Sequence, residues 1–261
     1  MLSKNKIKLI QSLNRKKDRD ESGLFLVEGN KMVEEALRSD FKVETLVCTS
    51  GFLHLHPEIR SKVNELIEAD SESIQKASLL QNPQDSLALI NQPVNFKPDM
   101  NFQNDLILAL DFIQDPGNLG TILRIADWFG IRTVICSENT VDVFNPKVVQ
   151  ASMGAIFRVN TWFTNLEKFI SETKENHIPV FGTFLEGKDI YTEILPRNGI
   201  IVLGNEGNGI SEAVSKLVTQ KLFIPSFSST DNKPESLNVA IATAICCSEF
   251  RRRLNIGCGD F

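Results

Sequence analysis

Five side chains in the second half of this chain are of types that could do chemistry together: Asn118, Arg124, Glu206, Ser236 and Asn238. Asn118 brings an amide donor and acceptor to a tight turn, and Arg124 sets a permanent cation on a helix wall otherwise lined by Leu119, Ile122, Leu123 and Ile125. Glu206 lies in the middle of LGNEGNGIS, residues 203–211, where a carboxylate can meet a cation or a hydroxyl. Ser236 and Asn238 stand at the start of an apolar helix, beside N–H groups that favour an anion. Each also has a plainer reading. Arg124 could simply pair with Asp127 three residues on, an exposed contact worth about 0.2–0.5 kcal/mol.

Three loops must position these residues. After the apolar strand DLILALDF (105–112), Pro116 and Gly117 enforce a turn, Asp115 can accept from the first N–H groups of a helix over 117–129, and Gly130 ends that helix. Gly120 leaves room for a close backbone or ligand. The second loop carries Gly204, Gly207 and Gly209, a spacing that is neither the dinucleotide fingerprint nor a P-loop. It still exposes backbone donors and acceptors to a ligand with its own, such as an adenine. The third leads through Pro234 into a helix over 235–253 that is apolar nearly all round, predicted to be deeply buried, with Arg251, Arg252 and Arg253 at its favourable end.

From Asp105 onward strands and helices alternate, with strands at 133–137, 155–159, 179–184, 200–204 and 221–225 and helices near 145–152, 165–175 and 210–218. The strands are continuous apolar runs, the mark of a parallel sheet covered on both faces. The fold class is therefore α/β and doubly wound, and ligands in such sheets bind at the carboxyl ends of the strands. Each of the three loops lies just after a strand.

The first half also alternates, with an amphipathic helix at 3–17, strands GLFLVEG, VETLVCT and SLALINQP, and helices NKMVEEALRS and PEIRSKVNELIEA. The stretch 91–104 breaks the pattern with two prolines and four asparagines. The predicted division is a first domain at 1–95, a linker at 96–104 and a second domain at 105–261.

Composition narrows the function classes. A chain of 261 residues that is 42% hydrophobic can bury at least one substantial core. It has no apolar run long enough for a membrane span and no secretory signal pattern, which places the protein in the cytoplasm with no membrane partner. Five cysteines without a CxxC pair argue against a disulfide framework or structural zinc, and His54 and His56 have no further ligand cluster, so no metal is expected. The net charge of −5 looks wrong for a nucleic-acid binder. Residues 1–19, however, hold Lys4, Lys6, Lys8, Arg15, Lys16, Lys17 and Arg19 against Asp18, seven minus one or a local +6, a candidate phosphate-facing edge.

Taken together, NLGTILRIADWFG, LGNEGNGIS, and IP followed by ESLNVAIA resemble the three motifs of the SpoU/TrmH family of RNA ribose 2′-O-methyltransferases, in the SPOUT superfamily. The resemblance spans roughly 105–253, and IQSLNRKKDRDESGLFLVEGNKMVEEAL is similar to the family's small ribosomal-protein-like substrate-binding domain. It implies a C-terminal trefoil knot, a homodimer, and S-adenosyl-L-methionine held in the knot mainly by backbone contacts. By position it assigns Gly204, Ile224 and Leu237 to the methyl donor, with Asn205 and Gly207 in the same loop and Thr183 at the pocket edge. Arg124 corresponds to the arginine proposed to take the proton from the ribose 2′-hydroxyl, a role set beside that of an anchor for the substrate phosphate because a guanidinium stays protonated, and Asn118, Glu206, Ser236 and Asn238 complete the site. One departure stands out: the Ile224–Leu237 segment is longer than the family's common form and lacks an early glycine.

The implied activity is methyl transfer to a ribose 2′-hydroxyl of RNA, ribosomal in preference to transfer RNA. The runner-up is an RNA-binding module that keeps the fold without catalysis. A nicotinamide dehydrogenase fails, because the first strand–helix turn is DPGNLG and no glycine fingerprint precedes it. Removing residues 1–95 is predicted to cost RNA affinity and spare donor binding.

Overall fold

The computed structural model describes residues 2–93, 98, 100–174, 177–228 and 235–252. The first part of the chain runs α1 (Lys4–Ser12), α2 (Lys16–Ser22), β1 (Leu24–Glu28), α3 (Asn30–Arg38), β2 (Val43–Cys48), α4 (Ser50–Leu55), β3 (Val63–Glu68), α5 (Ser71–Ala77) and β4 (Ser86–Asn91). It continues as β5 (Leu106–Asp111), α6 (Pro116–Trp128), β6 (Thr133–Ser137), α7 (Pro146–Ser152), β7 (Asn160–Thr164), α8 (Leu166–Lys174), β8 (Val180–Asp189), β9 (Gly199–Gly204), α9 (Glu212–Ser215), β10 (Gln220–Phe223) and α10 (Val239–Arg252).

These elements form two compact units, Met1–Phe96 with Asp142–Arg158, and Lys97–Val141 with Val159–Phe261. The first unit carries a four-stranded sheet in the order β1-β4-β2-β3, antiparallel except for the β2–β3 pair. Ile10 and Leu13 seat the N-terminal helices on Leu24, Leu26, Leu87 and Leu89. Residues 142–158 return from the second half of the chain to this unit, and α7 packs on β1. Two features fasten them. Phe144 stacks on Phe25, ring centroids 4.6 Å apart, and Arg19, only 1% exposed, holds Asp142 at 2.5 Å while donating to the Leu13 and Asn14 carbonyls.

The second unit is built on a six-stranded sheet in the order β10-β8-β9-β5-β6-β7, with every pair parallel. Its two central strands, β5 and β9, are buried along almost their whole length. Ile107 and Ala109 alternate onto the face covered by Leu166, Phe169 and Ile170 of α8 and Val214 of α9. Helices α6 and α10 pack on each other, and Phe250 of α10 meets Phe181 of β8 edge-on. The chain winds outward from β5 through β6 to β7, then crosses to β8 and β9 on the other side. The switch point therefore lies between β5 and β9, where open α/β sheets bind ligands.

Five sequence expectations need correction. The helix expected at 3–17 is two, α1 and α2, parted at Leu13–Arg15, where Arg15 takes an extended backbone. PEIRSKVNELIEA is not a helix: a short 3-10 turn at Pro57–Ser61 gives way to β3, whose Val63, Leu66 and Ile67 pair with β2. AIFRV is not a strand: Ala155–Phe157 is a 3-10 turn, and the edge strand is Asn160–Thr164, which pairs with β6. The helix expected at 210–218 shortens to Glu212–Ser215. Helix α10 is not buried all round: Val239, Ala240, Thr243, Cys246, Cys247 and Phe250 face inward, but Ile241 is 53% exposed, and Ala244 and Ile245 are half-buried. The expectations for Pro234, Arg253, Cys258 and linker residues 96, 97 and 99 lie outside the described residues.

Candidate active site

The first loop folds as its residues dictate. Asp115 caps α6 by accepting from the Asn118 N–H at 2.7 Å, with Pro116 at the first helical position. At the other end Gly130 takes φ +63, its N–H meets the Asp127 carbonyl, and the Ile131 N–H meets the Ala126 carbonyl at 2.8 Å, a glycine-terminated helix. Arg251 of α10 adds to that end by donating to the Phe129 carbonyl at 2.8 Å and the Gly130 carbonyl at 3.2 Å.

The second loop closes on itself. Asn205 and Gly209 exchange backbone hydrogen bonds at 3.0 and 2.9 Å, and the Asn205 carboxamide oxygen accepts from the N–H groups of Gly207 and Asn208. Gly204 has no alternative here, since a Cβ would stand 2.2 Å from the backbone of Gly209 and Ile210. At the third loop Asn238 caps α10 with its own carboxamide oxygen, 2.9 Å from the Ala240 N–H.

One side chain ties the three loops together. Asn118 accepts from the Asn238 amide at 2.9 Å and donates to the Glu206 carboxylate at 2.5 Å. Three residues far apart in sequence thus form one chain of hydrogen bonds at the switch point of the sheet.

Around it, the β5–β9 register puts Asp111 beside Gly204, and the β8–β9 register ends at Gly182 beside Val202. Thr183, one residue on, donates to the Val202 carbonyl at 3.3 Å, so it lies on the same rim as Gly204 and Asp111. Strand β8 then makes an excursion between Gly182 and Lys188, because its register against β10 shifts between Lys221 and Leu222. Ile224 follows the end of β10 half-buried, and Leu237 is 49% exposed.

Ser236 and Arg124 stand outside this network. Both are exposed, and neither side chain has a hydrogen bond or ion pair to a described residue. The pairing of Arg124 with Asp127 does not form. Arg124 stands six residues, about 9 Å of helix rise, beyond Asn118.

Sequence reasoning passed over four residues that shape the rim. Asp111, buried at the end of β5, accepts from the Ser211 N–H at 2.8 Å and fixes the far side of the glycine loop. Phe112 next to it takes a left-handed backbone at φ +62, which costs a non-glycine residue on the order of 1 kcal/mol. Its N–H is held by the Ser137 hydroxyl at 2.9 Å and its carbonyl by the Asn205 amide at 2.9 Å. Thr140 stands 3.1 Å from Ser137 and closes the support from behind. The signal available was a carboxylate at the carboxyl end of a buried strand; nothing in the sequence marks the backbone of Phe112.

Against known proteins, the profile of the SpoU rRNA methylase family matches residues 105–248, more than half of the chain. The chain belongs to this family. All three loops that Asn118 joins lie within the matched stretch, and the MRM3-like substrate binding domain matches residues 4–88. A 23S rRNA (guanosine(2553)-2′-O)-methyltransferase from Bacillus subtilis is 30% identical over 94% of this chain and 96% of its own. Among solved structures, a TrmH-family protein from Porphyromonas gingivalis has a TM-score of 0.87 at 42% identity, covering 97% of this chain and 99% of its own. An AdoMet-bound rRNA methyltransferase from Sinorhizobium meliloti has a TM-score of 0.85 at 31% identity, with 97% of both chains covered.

Proposed function

We propose that this SpoU-family chain transfers a methyl group from S-adenosyl-L-methionine to a ribose 2′-hydroxyl of ribosomal RNA. The observation that carries the reading is the Glu206–Asn118–Asn238 chain of hydrogen bonds, which draws the three family loops to one point on the sheet edge. A catalytically silent RNA-binding module would have no need of such an arrangement.

The rim fits the donor chemically. Gly204, Asn205 and Gly207 offer backbone groups, Thr183 a hydroxyl, and Ile224 and Leu237 apolar side chains that are not fully buried. S-adenosyl-L-methionine, when bound, supplies an electrophilic methyl group on a sulfonium. The remaining work is positioning. Asn118, Glu206 and Asn238 hold one another in register, and Ser236 adds a hydroxyl beside the start of α10. Arg124, a permanent cation, anchors a substrate phosphate, orients the 2′-hydroxyl and stabilises negative charge as the hydroxyl loses its proton.

The reading extends to assembly. Thr121, Ile125 and Trp128 of α6, the last 85% exposed, follow helical spacing, as do Ile241, Ala244 and Ile245 of α10. This two-helix apolar face suits a second copy of the chain, and in such a homodimer Arg124 of one protomer completes the cluster of the other. The chain after β10 passes through the preceding loop as a trefoil knot. Residues 1–95 bind RNA, residues 96–104 link, and residues 105–261 carry the transfer; the match of the substrate-binding profile to residues 4–88 supports that division. Buried thiols at Cys48, Cys136, Cys246 and Cys247 accord with a cytoplasmic setting.

The test is transfer of label from methyl-labelled donor to unmethylated ribosomal RNA, followed by digestion to nucleosides. A labelled 2′-O-methylnucleoside is the expected product. RNA binding without donor binding by calorimetry would instead establish the silent module.

A further inference from the structure

Phe112 is a bulky residue in a backbone conformation that glycine or asparagine would adopt without strain, and it sits where β5 ends and the first loop begins. Its neighbours Asp111 and Ile113 are buried at 2% and 0% exposure, whereas Phe112 itself is 39% exposed. The conformation is clamped from both sides: the Ser137 hydroxyl holds the N–H, and Asn205, next in sequence to Glu206, holds the carbonyl. The Ser137 hydroxyl in turn meets Thr140, whose own hydroxyl reaches the Leu110 carbonyl at 3.4 Å. Side chains from β6 and from the glycine loop thus hold the backbone of a single exposed aromatic residue, and Thr140, in the turn after β6, backs Ser137. Strain kept up by surrounding structure collects at functional sites.

We infer that Phe112 is a substrate-positioning residue, a fixed aromatic platform on which the base of the target nucleotide stacks while its ribose is presented to the Asn118–Glu206 cluster. The ring is apolar, partly open and beside the second loop, and a flat face is the surface a splayed-out RNA base needs. Stacking of this kind tolerates any base but is lost with the ring. The inference rests on reading the three-loop cluster as the methyl-transfer site. The donor also carries a heteroaromatic base, so the experiment must separate the two sources.

The deciding variant is Phe112→Asn, because asparagine tolerates the left-handed backbone and keeps both clamps. The melting temperature should stay level or rise, and calorimetry should show unchanged donor binding. Methylation of unmethylated ribosomal RNA should lose about tenfold or more in kcat/KM, mostly through KM, with Phe112→Tyr restoring it. Wild-type RNA kinetics in Phe112→Asn overturn the inference. So does a loss that tracks weaker donor binding, which would put the ring on the donor's adenine, or a loss that tracks a lower melting temperature. Asn118→Ala, run alongside, tests the cluster itself: if it is inactive while Phe112→Asn is unchanged, the site reading stands and the platform falls.

Discussion

Five of the seven basic residues among the first nineteen are held by carboxylates of their own unit, whereas Arg124 on α6 is held by none of the described residues. Lys6 reaches Glu65 at 2.5 Å, Arg15 reaches Asp18, Lys16 reaches Asp20, Lys17 approaches Glu21, and Arg19 is sealed against Asp142. The local +6 counted over residues 1–19 stops just short of Asp20 and Glu21; through residue 21 it is seven minus three, or +4. Of the seven, Lys4 and Lys8 have no ion pair with a described residue. The two regions show that charge density along a sequence and charge offered to a ligand are different quantities. Exposed pairs along a helix are weak and can be exchanged for phosphate, a buried pair cannot, and a lone exposed arginine is available from the start.

The largest effect that would sharpen this contrast is expected at Arg19. Arg19→Ala leaves Asp142 and two carbonyls without their partner in a buried place, and removing one member of such a pair costs about 3–5 kcal/mol. Urea unfolding should show it as a large drop in midpoint, while Lys16→Ala should leave the midpoint within error. Equal effects would erase the distinction between the buried and exposed pairs. A deletion of residues 1–95 cannot ask the same question, because Val148 and Val149 of α7 are buried in the first unit and would lose their cover.

Next comes Asn238, which both caps α10 and donates to Asn118. Asn238→Ala should lower stability by about 1 kcal/mol through the lost cap and lower methyl transfer more than that loss explains. Asn238→Asp keeps the cap but not the amide donor, so it should recover the stability and not the activity. Recovery of both would reduce Asn238 to a structural cap.

Lys4 and Lys8 give a smaller, salt-dependent effect. The double variant Lys4→Ala/Lys8→Ala should weaken ribosomal RNA binding and lower the slope of log affinity against log salt by up to about two. Substituting Lys16 and Lys17 should change the slope less. An equal change from both pairs would mean that RNA displaces the helix carboxylates.

The smallest concerns Glu28, at the end of β1. Burial pushes its carboxyl above the usual 4.5, against hydrogen bonds from the Ser78 hydroxyl and the Leu79 N–H that pull it down. A carboxyl raised in the folded state stabilises below its unfolded pKa, and that stability is lost as pH rises through the folded value. Wild type should therefore lose stability relative to Glu28→Gln as pH climbs from about 4.5, the unfolded value, through the raised folded value. A constant difference across that range would mean the burial cost is absent.

Much of this was legible in the sequence, for physical reasons. Continuous apolar runs specified a parallel sheet because both faces of β5 and β9 are covered, and the Asp115 cap and Gly130 stop follow from local backbone chemistry that needs no tertiary context. Three things were hidden. Val63–Glu68 could not be told from a helix because VNELIE alternates weakly, and its pairing with β2 decides the matter. The return of residues 142–158 to the first unit depends on Arg19 meeting Asp142, a contact 123 residues apart. The left-handed backbone of Phe112 is imposed by Ser137 and Asn205, neither of them its neighbour in sequence.

Arg124→Ala tests the central claim most directly. The side chain is exposed and unbonded to described residues, so its removal should leave melting and donor binding as in wild type. Transfer of label to ribosomal RNA should fall by about a hundredfold or more, the scale of losing a preorganised group that stabilises developing charge. A variant that methylates RNA at the wild-type rate would contradict the account, because a cation that no described residue pairs would then have no part in the reaction.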